Sequence, residues 1–363
     1  MSERSTSYDT ATIQALEGRE AVRKRPGMYL GSTGERGLRN LVLFVADRSV
    51  NDVLAGRARR VDVTLTADGG VSVADDGPGD SVDDLLARLP IGRRCNSRHD
   101  VARGYGDMYL FVANALSSRL TAEVRRDGVR RVQEHAHGVA VSARTGADRA
   151  AGNGTVVTFW PDAEIFAAAE PSFTALADRF RELALLNRGL EITLTDLRSA
   201  HAAREERYHF PGGVRDFVAL LDDHSDNGSD SGGEPDDVLA FEHEDPRMAG
   251  TMEVALRWRA SGEERVRSFA NSHPTVGGGT HENGFRRGVA AALGTDRIGP
   301  GLTAVVSVKL DDPVFAGATL DVLGTTAASA CVEEAVRTRL GAWLRTHPDR
   351  AAALVARLRA GGA

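Results

Sequence analysis

The chain has 363 residues, 42% hydrophobic and 26% charged, with a net charge of −6. That length predicts two domains with ordinary globular cores, and the acidic balance argues against direct nucleic-acid binding, which calls for a clear positive excess. Two distant cysteines (Cys95 and Cys331), a polar start and no apolar run long enough for a bilayer exclude a disulfide framework and a membrane span and point to the cytoplasm.

Residues 1–12 are polar and aperiodic and read as an arm. Leu38, Leu41, Val42, Val45, Val50, Val53 and Leu54 recur at helical spacing, with Gly56 as the stop. Val61–Leu65 and Val71–Val73 alternate as strands around Ala67-Asp68-Gly69-Gly70, which predicts a hairpin. A helix follows over Met108–Leu116, then strands near Leu120–Val124, Val139–Ala143 and Thr155–Phe159. The basic run Arg125–Arg131 has Asp127-Gly128 at its centre and reads as a solvated hairpin. Pro171–Leu186 reads as helix and Leu190–Thr195 as strand. The stretch from Asp222 to Asp237 is acidic and rich in Gly and Ser, with no apolar run to bury, and predicts a mobile loop. Strands over Met252–Trp258 and Leu302–Val308 and a helical region from Ala327 complete the chain. Strands and helices mix without regular alternation, which makes the class α+β, or layered α/β, in two domains.

Asp75-Asp76-Gly77-Pro78-Gly79 follows directly on a strand, and alone it is a turn signal. Around it stand Arg23-Lys24-Arg25-Pro26-Gly27-Met28-Tyr29-Leu30-Gly31, Asn114-Ala115-Leu116-Ser117, Gly154-Thr155, Gly278-Gly279-Thr280-His281 and Ala304–Lys309. In this order and spacing the segments resemble the B subunits of gyrase and topoisomerase IV, from Tyr8 to about Pro348. The resemblance implies a Bergerat-type ATP-binding α/β sandwich of the GHKL group over residues 13–210. A ribosomal-S5-like α/β transducer domain over 211–363 would follow it. Tyr8 matches a residue that crosses to a partner subunit, which implies a homodimer through the arm. No cleavage domain and no tail for the A subunit follow, so strand passage is not expected of this chain alone.

Within that resemblance, Asp75 is the carboxylate that accepts the adenine amino group, Thr155 supports it, and Val45, Val73, Leu110 and Val157 are the apolar walls. Ser49 and Pro78 border the same pocket, Pro78 replacing an Arg that stacks over the base. The catalytic half is altered. Phe44 stands where the family has the Glu that activates water, and Asn40 where its supporting His belongs. Arg48 replaces the Asn that ligates Mg²⁺, a permanent cation in place of a cation's ligand. In the phosphate loop, Asp107 brings negative charge and Tyr109 occupies a glycine position, both unfavourable to a triphosphate. Ala318-Thr319-Leu320 replaces the transducer's Gln-Thr-Lys, so Leu320 stands for the lysine that reaches the γ-phosphate. The lid arginines Arg93, Arg94, Arg98 and Arg103 read as solvated. ATP hydrolysis is therefore not expected, and ATP and Mg²⁺ are doubtful ligands; no other cofactor or metal is implied.

Three functions remain open. In the first, the pocket sequesters a small heteroaromatic or polyketide-like molecule, as in self-resistance. In the second, it is a biosynthetic enzyme for a cyclisation, condensation or isomerisation. Asp75 or Asp107 would then be the base and Arg48 or Tyr109 the stabiliser, with Cys95 or His99 as possible additions. In the third, the chain is a nucleotide-binding regulator paired with a true topoisomerase.

Overall fold

The computed structural model describes residues 18–79, 98, 100–101, 108–142, 145–167, 169–199, 202–223, 238–259, 262–295, 301–317 and 319–360. Three helices lead the first half: α1 (Gly18–Lys24), α2 (Gly27–Leu30) and α3 (Glu35–Leu54). The stripe read from the sequence is the buried face of α3, with Leu38, Leu41, Val42, Val45 and Val50 turned inward. β1 (Arg60–Leu65) and β2 (Val71–Asp75) form the expected hairpin in antiparallel register. Next come α4 (Met108–Ala115), β3 (Ser117–Arg126), β4 (Val129–Ala136), β5 (Val139–Ala140), β6 (Thr145–Arg149) and β7 (Gly154–Pro161). The half closes with α5 (Ala163–Phe166), α6 (Phe173–Leu186), β8 (Glu191–Asp196) and β9 (Arg204–Tyr208).

These strands make one sheet in the order β5-β4-β3-β7-β2-β1-β8-β9, with β6 pairing β4. The basic run is the expected hairpin between β3 and β4, turning at Asp127 (φ 53°) and Gly128 (φ 76°). The strand expected over Val139–Ala143 ends instead at Ala140. Val139 and Val141 are both exposed, so the segment lacks the one-sided burial that sustains a longer ladder. Helix α6 is capped by Ser172, whose hydroxyl accepts from the Ala175 amide at 3.3 Å. Its apolar face and that of α3 join β1, β2 and β7 in one core, in which Phe159 and Phe180 are fully buried.

The second half comprises α7 (Val214–Asp223), β10 (Leu239–Asp245), β11 (Gly250–Trp258), β12 (Arg265–Ala270) and β13 (His273–Pro274). After these come α8 (Thr280–Leu293), β14 (Leu302–Leu310), α9 (Thr326–Thr346) and α10 (Pro348–Ala360). The sheet runs β10-β11-β14-β12-β13, and β12 lies parallel to β14. Central β14 is buried along almost its whole length, as its continuous apolar run requires. Helices α8 and α9 touch backbone to backbone, because a Cβ on Gly284 would stand 2.2 Å from the Ser329 carbonyl oxygen. A third apolar cluster, with Leu185 and Leu186 of α6, Phe217 and Val218 of α7 and Phe269 of β12, fastens the two halves together. Of the predicted acidic loop, Asp222 and Asp223 close α7; residues 224–237 lie outside the described residues, as does the arm with Tyr8.

Beneath β12 lies a polar network. Ser268 Oγ donates to Glu282 Oε2 at 2.7 Å and meets Thr275 Oγ1 at 2.8 Å, and Thr275 Oγ1 lies 3.2 Å from His281 Nε2. His281 is fully buried and its Nδ1 has no hydrogen-bond partner among the described residues. Burial pushes the imidazole down from the usual 6.5 to about 4. The unfolded chain thus takes up a proton as pH falls below 6.5, while the folded chain does so only near 4. Stability conferred by the neutral form is complete above pH 6.5 and lost on acidification toward 4. Urea unfolding at pH 7 and pH 5 is expected to differ by about 2 kcal/mol more in wild type than in His281→Asn. Equal pH slopes in the two proteins would refute this origin.

Candidate functional site

Strand alternation aims Asp75 inward. In β2 it shares a face with Val71 and Val73, and all three are buried. The β2–β7 register sets Thr155 directly opposite Asp75 and Val157 opposite Val73. Gly154 permits that approach: it adopts φ 154°, and a Cβ there would stand 2.4 Å from the Asp75 carbonyl oxygen. Above this surface, Val45, Arg48, Ser49 and Asp52 occupy one side of α3 at helical spacing.

The two surfaces meet in an ion-paired network. Arg48 Nη1 donates to Asp75 Oδ2 at 2.7 Å, and Ser49 Oγ donates to the same oxygen at 2.7 Å. The Gly77 amide donates to Asp75 Oδ1 at 3.0 Å. Arg48 Nη2 also lies 3.2 Å from Asp52 Oδ2, and Arg57 Nε donates to Asp52 Oδ1 at 3.1 Å. The Asp75 side chain is 0% exposed and that of Arg48 15%. Cations and anions thus alternate from Arg57 to Asp75. The Thr155 hydroxyl is buried beside them without a hydrogen-bond partner among the described residues. Neighbouring Asp76 points the other way. Although burial pushes its carboxyl up, the Arg59 and Arg60 amides bonded to it hold it below the usual range.

The structure therefore brings Arg48, Ser49, Asp75 and Thr155 together, and it changes what Asp75 offers. Expected as a free acceptor for a ligand amine, its carboxylate is already bonded on both oxygens. The expected walls Val45, Val73, Leu110 and Val157 are all buried, and Pro78 is half-buried at the edge. Phe44 is packed in the core at 7% exposure, so this position offers an aromatic ring and no carboxylate. Asn40 is turned elsewhere, its Nδ2 donating to the Leu30 carbonyl at 3.0 Å. Leu320 lies in the second half with its backbone in the left-handed region at φ 60°, a conformation a branched side chain adopts only under constraint. Tyr109 falls on α4; Asp107, Cys95, His99, Arg93, Arg94, Arg103 and Ala318 lie outside the described residues.

Arg98 departs from the solvated lid expected of it. Its Nε and Nη2 donate to the two Asp311 oxygens at 2.8 Å, and Nη1 donates to Glu244 at 2.7 Å. It thus ties the first half of the chain to the ends of β14 and β10. Neither this clamp nor the Arg48–Asp75 pair was read from the sequence. The one available signal was the i,i+4 spacing of Arg48 and Asp52. Among the described residues no group of His, Cys, Asp and Glu is arranged to hold a metal ion, and no helix is long and apolar enough to cross a membrane.

Comparison with known proteins gives this geometry its context. The family model for DNA gyrase B matches residues 213–295 and 289–360. The DNA gyrase B protein of Streptomyces coelicolor is 38% identical, over 97% of this chain and 57% of its own length. The novobiocin-resistant gyrase B protein of Streptomyces niveus has the same identity and coverage, 38%, 97% and 57%. The chain thus spans a little over half the length of these curated relatives. Among solved structures, the 43K ATPase domain of Thermus thermophilus gyrase B, in complex with an aminocoumarin, superposes with a TM-score of 0.78 at 29% identity, covering 95% of each chain. The gyrase B structure from Myxococcus xanthus superposes with a TM-score of 0.78 at 28% identity, covering 93% of this chain and 99% of its own. The mixed α/β fold expected from the motifs is the fold of these structures, and the chain belongs to the DNA gyrase B family.

Proposed function

We propose that this chain is a gyrase-B-like unit that does not hydrolyse ATP and instead binds a small heteroaromatic or polyketide-like molecule in the remodelled nucleotide pocket, sequestering it. The observation that carries this reading is Arg48 seated on Asp75. An adenine amino group directed at that carboxylate would have to displace a charged, hydrogen-bonded guanidinium, which costs more than one neutral hydrogen bond returns. A ligand bearing carbonyl, phenolate or carboxylate oxygens meets the opposite situation. It finds the remaining N–H groups of Arg48 and the unpartnered Thr155 hydroxyl. Phe44 at the position of the general base supports binding without turnover. The Thermus relative, whose structure holds an aminocoumarin, supports a ligand of this size and class on this fold.

Calorimetry and thermal-shift titration test the proposal with novobiocin, a panel of phenolic polyketides and ATP·Mg²⁺. One of the oxygen-rich aromatic ligands is expected to raise the unfolding free energy by about 2.7 kcal/mol at a hundredfold excess over its Kd. It is recovered chemically unchanged, while ATP·Mg²⁺ gives no shift. Tight ATP binding with phosphate release would overturn the reading, and conversion of the ligand would move it to a biosynthetic enzyme.

A further inference from the structure

A cavity that shares no residue with the Arg48–Asp75 network lies at the junction of the two halves. It encloses about 510 Å³ and is walled by α3 and α6 on one side and by α7, β12 and β13 on the other. That volume falls within the roughly 300–1,000 Å³ of small-molecule sites. Leu43, Leu185, Phe217 and Pro274 supply an apolar floor.

The charged lining is unbalanced: Arg39, Arg179, Arg181 and Arg267 face Asp178 and Glu182. Glu182 is shared, since both Arg179 and Arg267 donate to it. Arg181 is divided between Asp178 at 3.4 Å and Glu206 at 3.5 Å. Arg39 has no hydrogen-bond or ion-pair partner among the described residues. A half-buried guanidinium over an apolar floor, in a cavity with a surplus of cations, is complementary to a carboxylate carried on a hydrophobic body.

We propose that this interdomain cavity is a second ligand site, taking an amphipathic carboxylate whose anion is anchored by Arg39. Because its walls come from both halves, an occupant bridges them and favours the packed arrangement.

The matched probes are 1-naphthaleneacetate and its neutral amide, titrated calorimetrically into the full chain. The carboxylate is expected to bind about tenfold more tightly than the amide, and Arg39→Gln removes that difference while thermal unfolding of the unliganded protein stays unchanged. Ala175→Leu, which fills the cavity from α6, is expected to abolish binding of both probes. Saturating novobiocin is expected not to displace them. No binding at millimolar concentration, equal carboxylate affinity in wild type and Arg39→Gln, or competition by novobiocin would each overturn the assignment.

Discussion

Arg48→Ala is expected to lower the unfolding free energy by about 3–5 kcal/mol, the usual cost of stranding one partner of a buried ion pair. The Asp75 side chain is inaccessible to solvent, and without the guanidinium the Ser49 hydroxyl and the Gly77 amide are what still bonds it among the described residues. Arg48 also neutralises Asp52, so the variant removes the shared cation from two acids. Asp75→Asn is the gentler change, because Arg48 keeps Asp52. The double variant Arg48→Met/Asp75→Asn is expected to recover the part of the loss that comes from Asp75, since replacing both members removes that charge mismatch while Asp52 keeps Arg57. Urea unfolding at pH 7 provides the measurement. An Arg48→Ala protein within 1 kcal/mol of wild type would show that the pair is not formed in solution. Arg48→Asn carries the functional counterpart: it frees the Asp75 oxygen and is expected to bind adenosine more tightly than the wild type does.

Phosphate release from ATP·Mg²⁺ is expected to run about 10²–10⁴-fold below that of an intact gyrase B N-terminal fragment, the range lost when one acid–base or electrostatic group is removed. Phe44, buried at the position where the family resemblance puts the activating acid, cannot take a proton from water. Phe44→Glu combined with Arg48→Asn is expected to remain inactive, because the position that Leu320 holds in the transducer still lacks a cation for the γ-phosphate. Single-turnover phosphate release distinguishes the outcomes. Wild-type turnover within tenfold of the intact fragment would sink the proposed loss of hydrolysis.

The Arg98 clamp bears on how the two halves communicate. By the resemblance, the transducer contact runs through a lysine and the nucleotide's γ-phosphate. Here a bidentate arginine–carboxylate pair joins the halves directly, through side chains 213 residues apart. Such a link needs no phosphate. The pair is partly exposed, with Asp311 at 46%, so its contribution to stability is about 1 kcal/mol or less.

Most of the architecture was legible as periodicity. The helical stripe from Leu38 to Leu54, the two-residue alternation of β1 and β2, and the Asp127-Gly128 turn are local patterns, and each forms as read. Val139–Ala143 misled because alternation there has no core beneath it. The site was half legible. The resemblance put Asp75 and Thr155 in one pocket, while β2, read only to Val73, runs on to Asp75 and turns it inward. That Asp75 would be occupied was not visible, because Arg48 lies 27 residues away on another element.

By itself, then, the amino-acid sequence determined the family resemblance and the order of elements, since motif order and periodicity are properties of residue type and spacing. Only the tertiary structure decided what the surviving carboxylate does. A long-range ion pair depends on how α3 lies across β2, and the interdomain cavity depends on how α6 meets α7 and β12. Spacing along the chain carries the period of a helix or a strand, but no term for the distance between two of them once packed.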